Sequence, residues 1–222
     1  MQYLLHPEAG VPRITLKGDA YRYLIKVRRH RVGDRIALRT GEDHAIHFYT
    51  LERIDRRAAE LVWQASETLT VIPRRPLHIG WCRIDPKAIE KVLPILNEIG
   101  VNVITFIDCD RSQKHFRLDQ ERLEKILTNS SQQCGRSDRM RIATAPDIAT
   151  FLVEHPEALL LHFSETTLPC GGEGATVIVG PEGGFTDAET ALFTPDRIVG
   201  LDTPMILRSE SAAVAVASRM VL

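Results

Sequence analysis

The sequence predicts an α/β protein in two parts: a small β-barrel over residues 1–70 and an α/β domain with a parallel sheet over residues 77–222. Three observations lead there. Up to about residue 70, short strand-like segments alternate with glycine turns, as in small barrels. From Leu77 onward, apolar β-branched runs alternate with helical stripes, the pattern of a parallel sheet covered by helices. Between the two lies Pro73-Arg74-Arg75-Pro76, read as part of a linker over about residues 71–76.

Composition narrows the class. The 222 residues are 44% hydrophobic and 26% charged, ordinary for a soluble globular protein. No apolar run approaches the roughly 20 residues of a membrane helix, so no membrane partner is expected. The opening MQYLLHPEAG lacks a basic n-region and apolar core, which argues against a signal peptide. Cys82, Cys109, Cys134 and Cys170 are scattered without a CxxC pair. We therefore expect no metal, and reduced thiols in a cytoplasmic protein.

Formal net charge is -1, which does not announce a nucleic-acid binder. Its distribution is uneven. Residues 1–70 carry a net charge of +3 and the remainder -4. The excess concentrates around Arg22, Lys26, Arg28, Arg29, His30, Arg31, Arg35 and Arg39. Arg22, Lys26, Arg28, Arg29 and Arg31 are the candidate RNA-phosphate contacts; the alternative is a solvated charged face. Tyr21 and Tyr23 are more naturally barrel packing than base-stacking groups.

In the first part, strands are expected at Ile14–Leu16, Arg35–Leu38, Ala45–Tyr49 and Ala59–Trp63, with a short helix over Asp19–Val27. In the second, Leu77–Cys82 reads as a strand. Asp85 caps the helix that follows and Pro86 opens it. Ile89, Val92, Leu93, Leu96 and Ile99 form its apolar stripe up to Gly100, with Pro94 expected to kink it. Val101–Ile107 is a buried strand, and 108–114 a polar loop. Asp119 caps a helix to about Gln133. Arg141-Ile142, a helix after Asp147 and a strand over Ala158–Phe163 complete the next unit, before a loop over 164–174.

The most informative stretch is Val177-Ile178-Val179-Gly180-Pro181-Glu182-Gly183-Gly184-Phe185-Thr186-Asp187. A buried strand stops at Gly180, glycines follow, and Thr186 with Glu189 forms a capping-box pattern for a helix over Asp187–Phe193. Ligands in open α/β sheets sit at the carboxyl ends of strands. The loop lacks the Gly-Lys-Ser/Thr of a phosphate-binding loop, which argues against a nucleotide-phosphate enzyme. A strand over Arg197–Val199, a second loop and a last helix over Ser209–Leu222 follow. That helix is rich in small residues, which permit close helix packing; the alternative is simple helix propensity.

Gly180-Pro181-Glu182-Gly183-Gly184-Phe185-Thr186-Asp187-Ala188-Glu189 and Ile206-Leu207-Arg208-Ser209-Glu210-Ser211-Ala212-Ala213 together resemble the paired cofactor loops of SPOUT-class RNA methyltransferases, in detail those of the RsmE family. A weaker resemblance covers nearly the whole chain. It implies a PUA-like N-terminal β-barrel and a C-terminal SPOUT domain, a parallel sheet with a trefoil knot. It also implies a homodimer that methylates N3 of a uridine in 16S ribosomal RNA of the small subunit. The methyl donor would be S-adenosylmethionine, and no metal would be needed. Asn97-Glu98-Ile99-Gly100-Val101 resembles a family segment, but Pro94 and Ile95 stand where a Gln-Lys pair is usual. Asp110-Arg111-Ser112 matches a Glu-Arg-Ser-type turn. Gln133, Gly135 and Arg136 match a Glu-Gln-x-Gly-Arg pattern in which Gln132 replaces the glutamate. Thr203 replaces a glycine of the second loop and Met205 an arginine.

The resemblance sets the candidate roles. Leu161, His162, Phe163, Val179, Gly180, Pro181, Glu182, Gly183, Gly184, Leu201, Met205, Ile206, Leu207, Ser209 and Ala212 would hold the cofactor. Adenine needs apolar walls and a few backbone hydrogen bonds, and both loops offer them. Arg136 and Arg208 are candidate catalytic donors to the negative charge developing on uracil O2 and O4. Arg208 has a structural alternative, an ion pair with Glu210 or Glu182. Glu210 is the candidate base or orienting carboxylate, or else a carboxylate satisfying a helix N-terminus. Glu182 would hold the ribose or cap the glycine loop. His162 reads as a strand residue rather than a base. The competing function is a non-catalytic RNA-binding protein of ribosome assembly that kept the SPOUT fold.

Overall fold

The computed structural model describes residues 1–112, 118–171 and 174–222. The loops expected over 108–114 and 164–174 extend past these, at 113–114 and 172–173. The chain forms two compact units. One is residues 1–72 with 131–138, the other 73–130 with 139–222.

The first unit is built on a five-stranded sheet: β1 (Leu4–Leu5), β2 (Arg13–Leu16), β3 (Arg35–Arg39), β4 (Ala45–Ile54) and β5 (Ala59–Thr68). The order is β1-β3-β4-β5-β2, so edges β1 and β2 do not pair and the expected barrel is a half-barrel. All pairings are antiparallel except β1 with β3. Alternate side chains face inward, and Leu16, Leu38 and Leu61 are fully buried. Register shifts between Phe48 and Tyr49 and between Leu51 and Arg53 break the β4–β5 ladder, the usual way a sheet is bent.

Where the sequence suggested one helix, α1 (Gly18–Tyr21) runs into a wider π-helical turn over Arg22–Val27. Its closing bond spans five residues, from the Arg28 N–H to the Tyr23 carbonyl. Tyr21 and Leu24 lie buried beneath it while Arg22 and Lys26 are exposed.

Residues 131–138 interrupt the second unit in chain order but belong with the first. The Leu5 N–H donates to Gln132 Oε1 at 2.7 Å, and the Tyr3 hydroxyl donates to the Arg136 carbonyl at 2.7 Å. The Val71 N–H donates to Ser137 Oγ at 2.8 Å.

The second unit carries β6 (Leu77–Cys82), β7 (Val103–Ile107), β8 (Arg141–Ala145), β9 (Leu159–Leu161), β10 (Ala175–Val179) and β11 (Ile198–Val199). These form one parallel sheet ordered β11-β9-β10-β6-β7-β8. Its helices are α2 (Pro86–Ile99), α3 (Gln120–Cys134, whose end belongs to the first unit), α4 (Ile148–Glu154), α5 (Asp187–Thr190) and α6 (Ser209–Val221). The unbroken apolar run of β10 has a simple cause, since both sheet faces are covered. Val177 and Val179 join a core with α2 and α6, while Ile178 joins another with Phe151 of α4.

Local signals place the helices. Asp85 accepts from the Lys87 N–H at 3.3 Å, and Asp147 from the Thr150 N–H at 2.6 Å. The α2 helix runs as one element through Pro94 and ends at Gly100 with φ 115°. In α6, Ala212, Ala213 and Ala217 are buried, and the helix packs against α2. The sequence overextends α5, which stops at Thr190, and β9, which ends at Leu161.

The expected reduced thiols are corrected at one pair. Cys82 and Cys109 form a disulfide between the ends of neighbouring strands β6 and β7, with Cα atoms 5.7 Å apart. Both are buried, while Cys134 and Cys170 are free and exposed. A pair 27 residues apart leaves no local spacing motif, which is why the sequence did not suggest it. Among the described residues no helix is long and apolar enough to cross a membrane.

Candidate functional site

The site lies at the carboxyl ends of β9, β10 and β11, three neighbouring strands. After β10 the chain turns through Gly180-Pro181-Glu182-Gly183-Gly184. Gly184 sits at φ 67°, in the left-handed region that glycine enters without penalty. A Cβ on Gly180 would stand 2.9 Å from the Phe185 ring, so that ring can pack over the loop only because residue 180 has no side chain. The loop then enters α5 through a complete Thr186–Glu189 capping box.

The β9 exit supplies Leu161, His162, Phe163 and Ser164. The His162 N–H donates to the Val199 carbonyl at 2.9 Å. The His162 ring meets the Phe185 ring edge-on at 5.9 Å between centroids, a packing role. Ser164 Oγ donates to the Ile198 carbonyl at 2.9 Å, tying this exit to β11. Beyond β11, residues 201–208 form the second loop, and α6 begins at Ser209. Ser209 Oγ donates to the Gly180 carbonyl at 2.5 Å and accepts from Trp81 Nε1–H at 2.9 Å.

These three exits enclose a cavity of about 740 Å³. Every residue expected to hold the cofactor, from Leu161 to Ala212, lines it, and Arg208 does as well. Leu161, Val179, Leu201, Leu207 and Ala212 give apolar wall. Met205, Ile206 and Phe163 are 69%, 83% and 75% exposed, so much apolar surface of the lining lies open to solvent in the single chain. Arg111, Ser164, Phe185, Gly200 and Thr203 also line the cavity, though none was among the residues expected to hold the cofactor. Arg111 follows β7 on the same edge of the sheet, so the carboxyl-end rule applied to every strand would have found it.

The catalytic candidates separate. Arg208 stands at the N-cap of α6, exposed. Among the described residues it makes no ion pair with Glu182 or Glu210. Glu210 is half-buried in the first turn of α6, where a carboxylate complements the helix dipole, and does not line the cavity. Arg136 does not line it either. It is buried in the first unit, with Nε 2.7 Å from Asp138 Oδ1 and Nη2 2.9 Å from Oδ2. Burial of a guanidinium demands such a partner. Gln132, in place of the expected glutamate, anchors β1 instead.

In the first unit, Arg22, Lys26, Arg28, Arg29 and Arg31 are all exposed on the π-helical turn and the residues after it. Arg29 has φ 60°, unusual for a non-glycine residue. Arg28 Nη2 donates to the Tyr23 hydroxyl at 2.8 Å. Tyr21 is a core residue whose hydroxyl donates to the Asp55 carbonyl at 2.9 Å, which settles it as packing.

A basic half-barrel and a parallel sheet whose strand exits line a ligand-sized cavity define a class, two-unit α/β proteins with a ligand site at the carboxyl edge of the sheet. Residues 72–221 match the family model described as RNA methyltransferase domain. The chain is 35% identical to the ribosomal RNA small subunit methyltransferase E of Helicobacter pylori, over 98% of each chain. It is 25% identical to the ribosomal RNA small subunit methyltransferase E 2 of Borreliella burgdorferi, over 93% of this chain and 89% of that one. The chain belongs to the RNA methyltransferase family and, within it, to the ribosomal RNA small subunit methyltransferase E, or RsmE, family. Its fold is that of the Neisseria gonorrhoeae member bound to S-adenosyl methionine, with a TM-score of 0.77 at 20% identity over 98% of this chain and 95% of that one.

Proposed function

We propose that the protein transfers a methyl group from S-adenosylmethionine to N3 of a uridine in 16S ribosomal RNA, within the assembled small subunit. One observation carries the reading. The exits after β9, β10 and β11 line one cavity with apolar walls and two loops of backbone. Its volume falls within the roughly 300–1,000 Å³ of small-molecule sites. The cofactor, when bound, supplies an electrophilic methyl group.

The chain's own residues do the rest. Leu161, Val179 and Leu201 offer an apolar slot for adenine, and backbone groups of 180–184 and 201–207 its hydrogen bonds. Glu182, exposed on the first loop, is proposed to hold a ribose hydroxyl. Uracil N3–H must lose its proton as the methyl group arrives, and the negative charge spreads to O2 and O4. We assign stabilisation of that charge to Arg208 rather than Arg136, whose guanidinium Asp138 already clasps. Glu210, two residues after Arg208, is the proposed acceptor of the N3 proton or the carboxylate that orients Arg208.

The basic turn of the first unit, Arg22 to Arg31, is proposed to hold RNA phosphates. The protein works in the cytoplasm as a homodimer with a trefoil knot around the cavity. The exposed apolar Phe163, Met205 and Ile206 are what a second copy would cover.

Calorimetric titration with S-adenosylmethionine separates this reading from a non-catalytic RNA-binding protein of the same fold. Saturable binding that Gly184→Val abolishes supports the enzyme. No binding would shift the function to the basic turn alone.

A further inference from the structure

The turn after β7 has no part in the two loops, yet it grips one of them. Cys109–Ser112 closes on itself, the Ser112 N–H donating to the Cys109 carbonyl at 3.1 Å. From it Arg111 reaches the glycine loop. A single nitrogen, Nη1, donates to the Gly183 carbonyl at 2.8 Å and to the Phe185 carbonyl at 3.0 Å. Beside it the Asp110 N–H donates to Glu189 Oε1 at 2.9 Å, and the Thr186 hydroxyl lies 3.2 Å from Asp110 Oδ2. All four contacts end on residues 183–189, and Arg111 itself lines the cavity. A glycine-rich loop loses more conformational freedom on ordering than any other backbone. A charged donor bonded to two of its carbonyls removes that freedom before a ligand arrives.

We propose that Arg111 is a positioning residue for the methyl donor: its guanidinium fixes the backbone at Gly183–Phe185 in the form that receives the cofactor. This rests on the reading of the cavity as the S-adenosylmethionine site. Both bonds leave one nitrogen, so a point cation in the same place can make them. Lysine therefore substitutes in part, which it would not if a planar fork gripped the ligand.

The test uses the full chain as parent, Arg111→Ala and Arg111→Lys. Cofactor affinity is measured by calorimetry, KM and kcat by methyl transfer, and stability by urea unfolding. Arg111→Ala is expected to raise Kd and KM for S-adenosylmethionine about tenfold or more, with kcat at saturation within about threefold of the parent. Arg111→Lys is expected to keep Kd within about threefold, and both variants to unfold near the parent's midpoint. Parental affinity in Arg111→Ala, a fall in kcat alone, or a loss of affinity matched by a lower unfolding midpoint would each overturn the proposal. If the parent binds no S-adenosylmethionine, the cofactor reading fails by itself. The hold on the loop is then read by amide hydrogen exchange at 183–185. Faster exchange in Arg111→Ala supports the hold, and unchanged exchange refutes it.

Discussion

Ser209 and Gly180, 29 residues apart, are joined by a 2.5 Å hydrogen bond from the serine hydroxyl to the glycine carbonyl. The bond fastens the start of α6 to the start of the glycine loop. The same hydroxyl accepts from Trp81, whose indole is fully buried in the core of the second unit. Ser209→Ala strands that indole N–H and frees the loop carbonyl. We expect a loss of about 1–3 kcal/mol in urea-unfolding free energy, the usual penalty for an unsatisfied buried group, together with weaker S-adenosylmethionine binding. Unchanged stability and affinity would mean that water replaces the hydroxyl at no cost.

Arg208 and Glu210 separate binding from chemistry. Arg208→Ala should lower single-turnover methyl transfer by about 10²–10³-fold, as removal of one donor to a developing anion does, and leave cofactor affinity unchanged. Glu210→Gln keeps the volume and removes the charge, so it should lower the rate by about 10²-fold or more if the carboxylate takes the proton. Near-parental rates in Glu210→Gln would leave that residue a helix-dipole role only.

Acid should weaken the second unit through His78. Burial and the neighbouring His155 hold the His78 imidazole at about 4, below its ordinary 6.5. Its ring lies 4.4 Å from that of His155, and Nε2 is 2.8 Å from Thr105 Oγ1. Below 6.5 the unfolded chain takes up a proton that the folded chain refuses, so stability falls from pH 6.5 toward pH 4 and levels off beneath. With solvent screening of a partly open ring, the loss is on the order of 2 kcal/mol. Urea titrations at both ends of that window should register it, and His78→Gln should flatten the dependence.

The exposed arginines of the first unit predict a salt signature. Replacing Arg28, Arg29 and Arg31 together by alanine should weaken binding to the small subunit. The slope of log K against log salt should become shallower by about 1 for each phosphate no longer neutralised. S-adenosylmethionine affinity should be untouched. An unaltered slope would identify these arginines as a solvated face.

Cys82 and Cys109 predict a covalent link. Peptide mapping without reductant should recover one peptide pair joined through these residues, with Cys134 and Cys170 alkylated as free thiols. Four alkylated cysteines would remove the link.

Sequence pattern carried most of the second unit. The β-branched run at Val177–Val179, the Thr186–Glu189 capping box and Asp85-Pro86 are local signals, and each element they predict is present. What was missed is long-range. Arg111 reaches Gly183 and Phe185 across more than 70 residues, a contact set by strand order rather than by any spacing in the chain. The Cys82–Cys109 link depends on β6 and β7 being neighbours. The attachment of 131–138 to the first unit depends on Gln132 bonding to β1, and a polar residue near a helix end carries no label for its partner. The half-barrel differs from the expected barrel because closure is a property of the last pairing, between edges that no local pattern specifies.

The central claim is methyl transfer to uridine N3, and one measurement addresses it most directly. The full-length protein is incubated with small ribosomal subunits lacking the modification and S-adenosylmethionine carrying a labelled methyl group. The RNA is then digested and the labelled nucleoside identified by mass and retention. The predicted result is label in N3-methyluridine alone, lost in Arg208→Ala. Bound cofactor with no label in the RNA, or label in any other nucleoside, would contradict it.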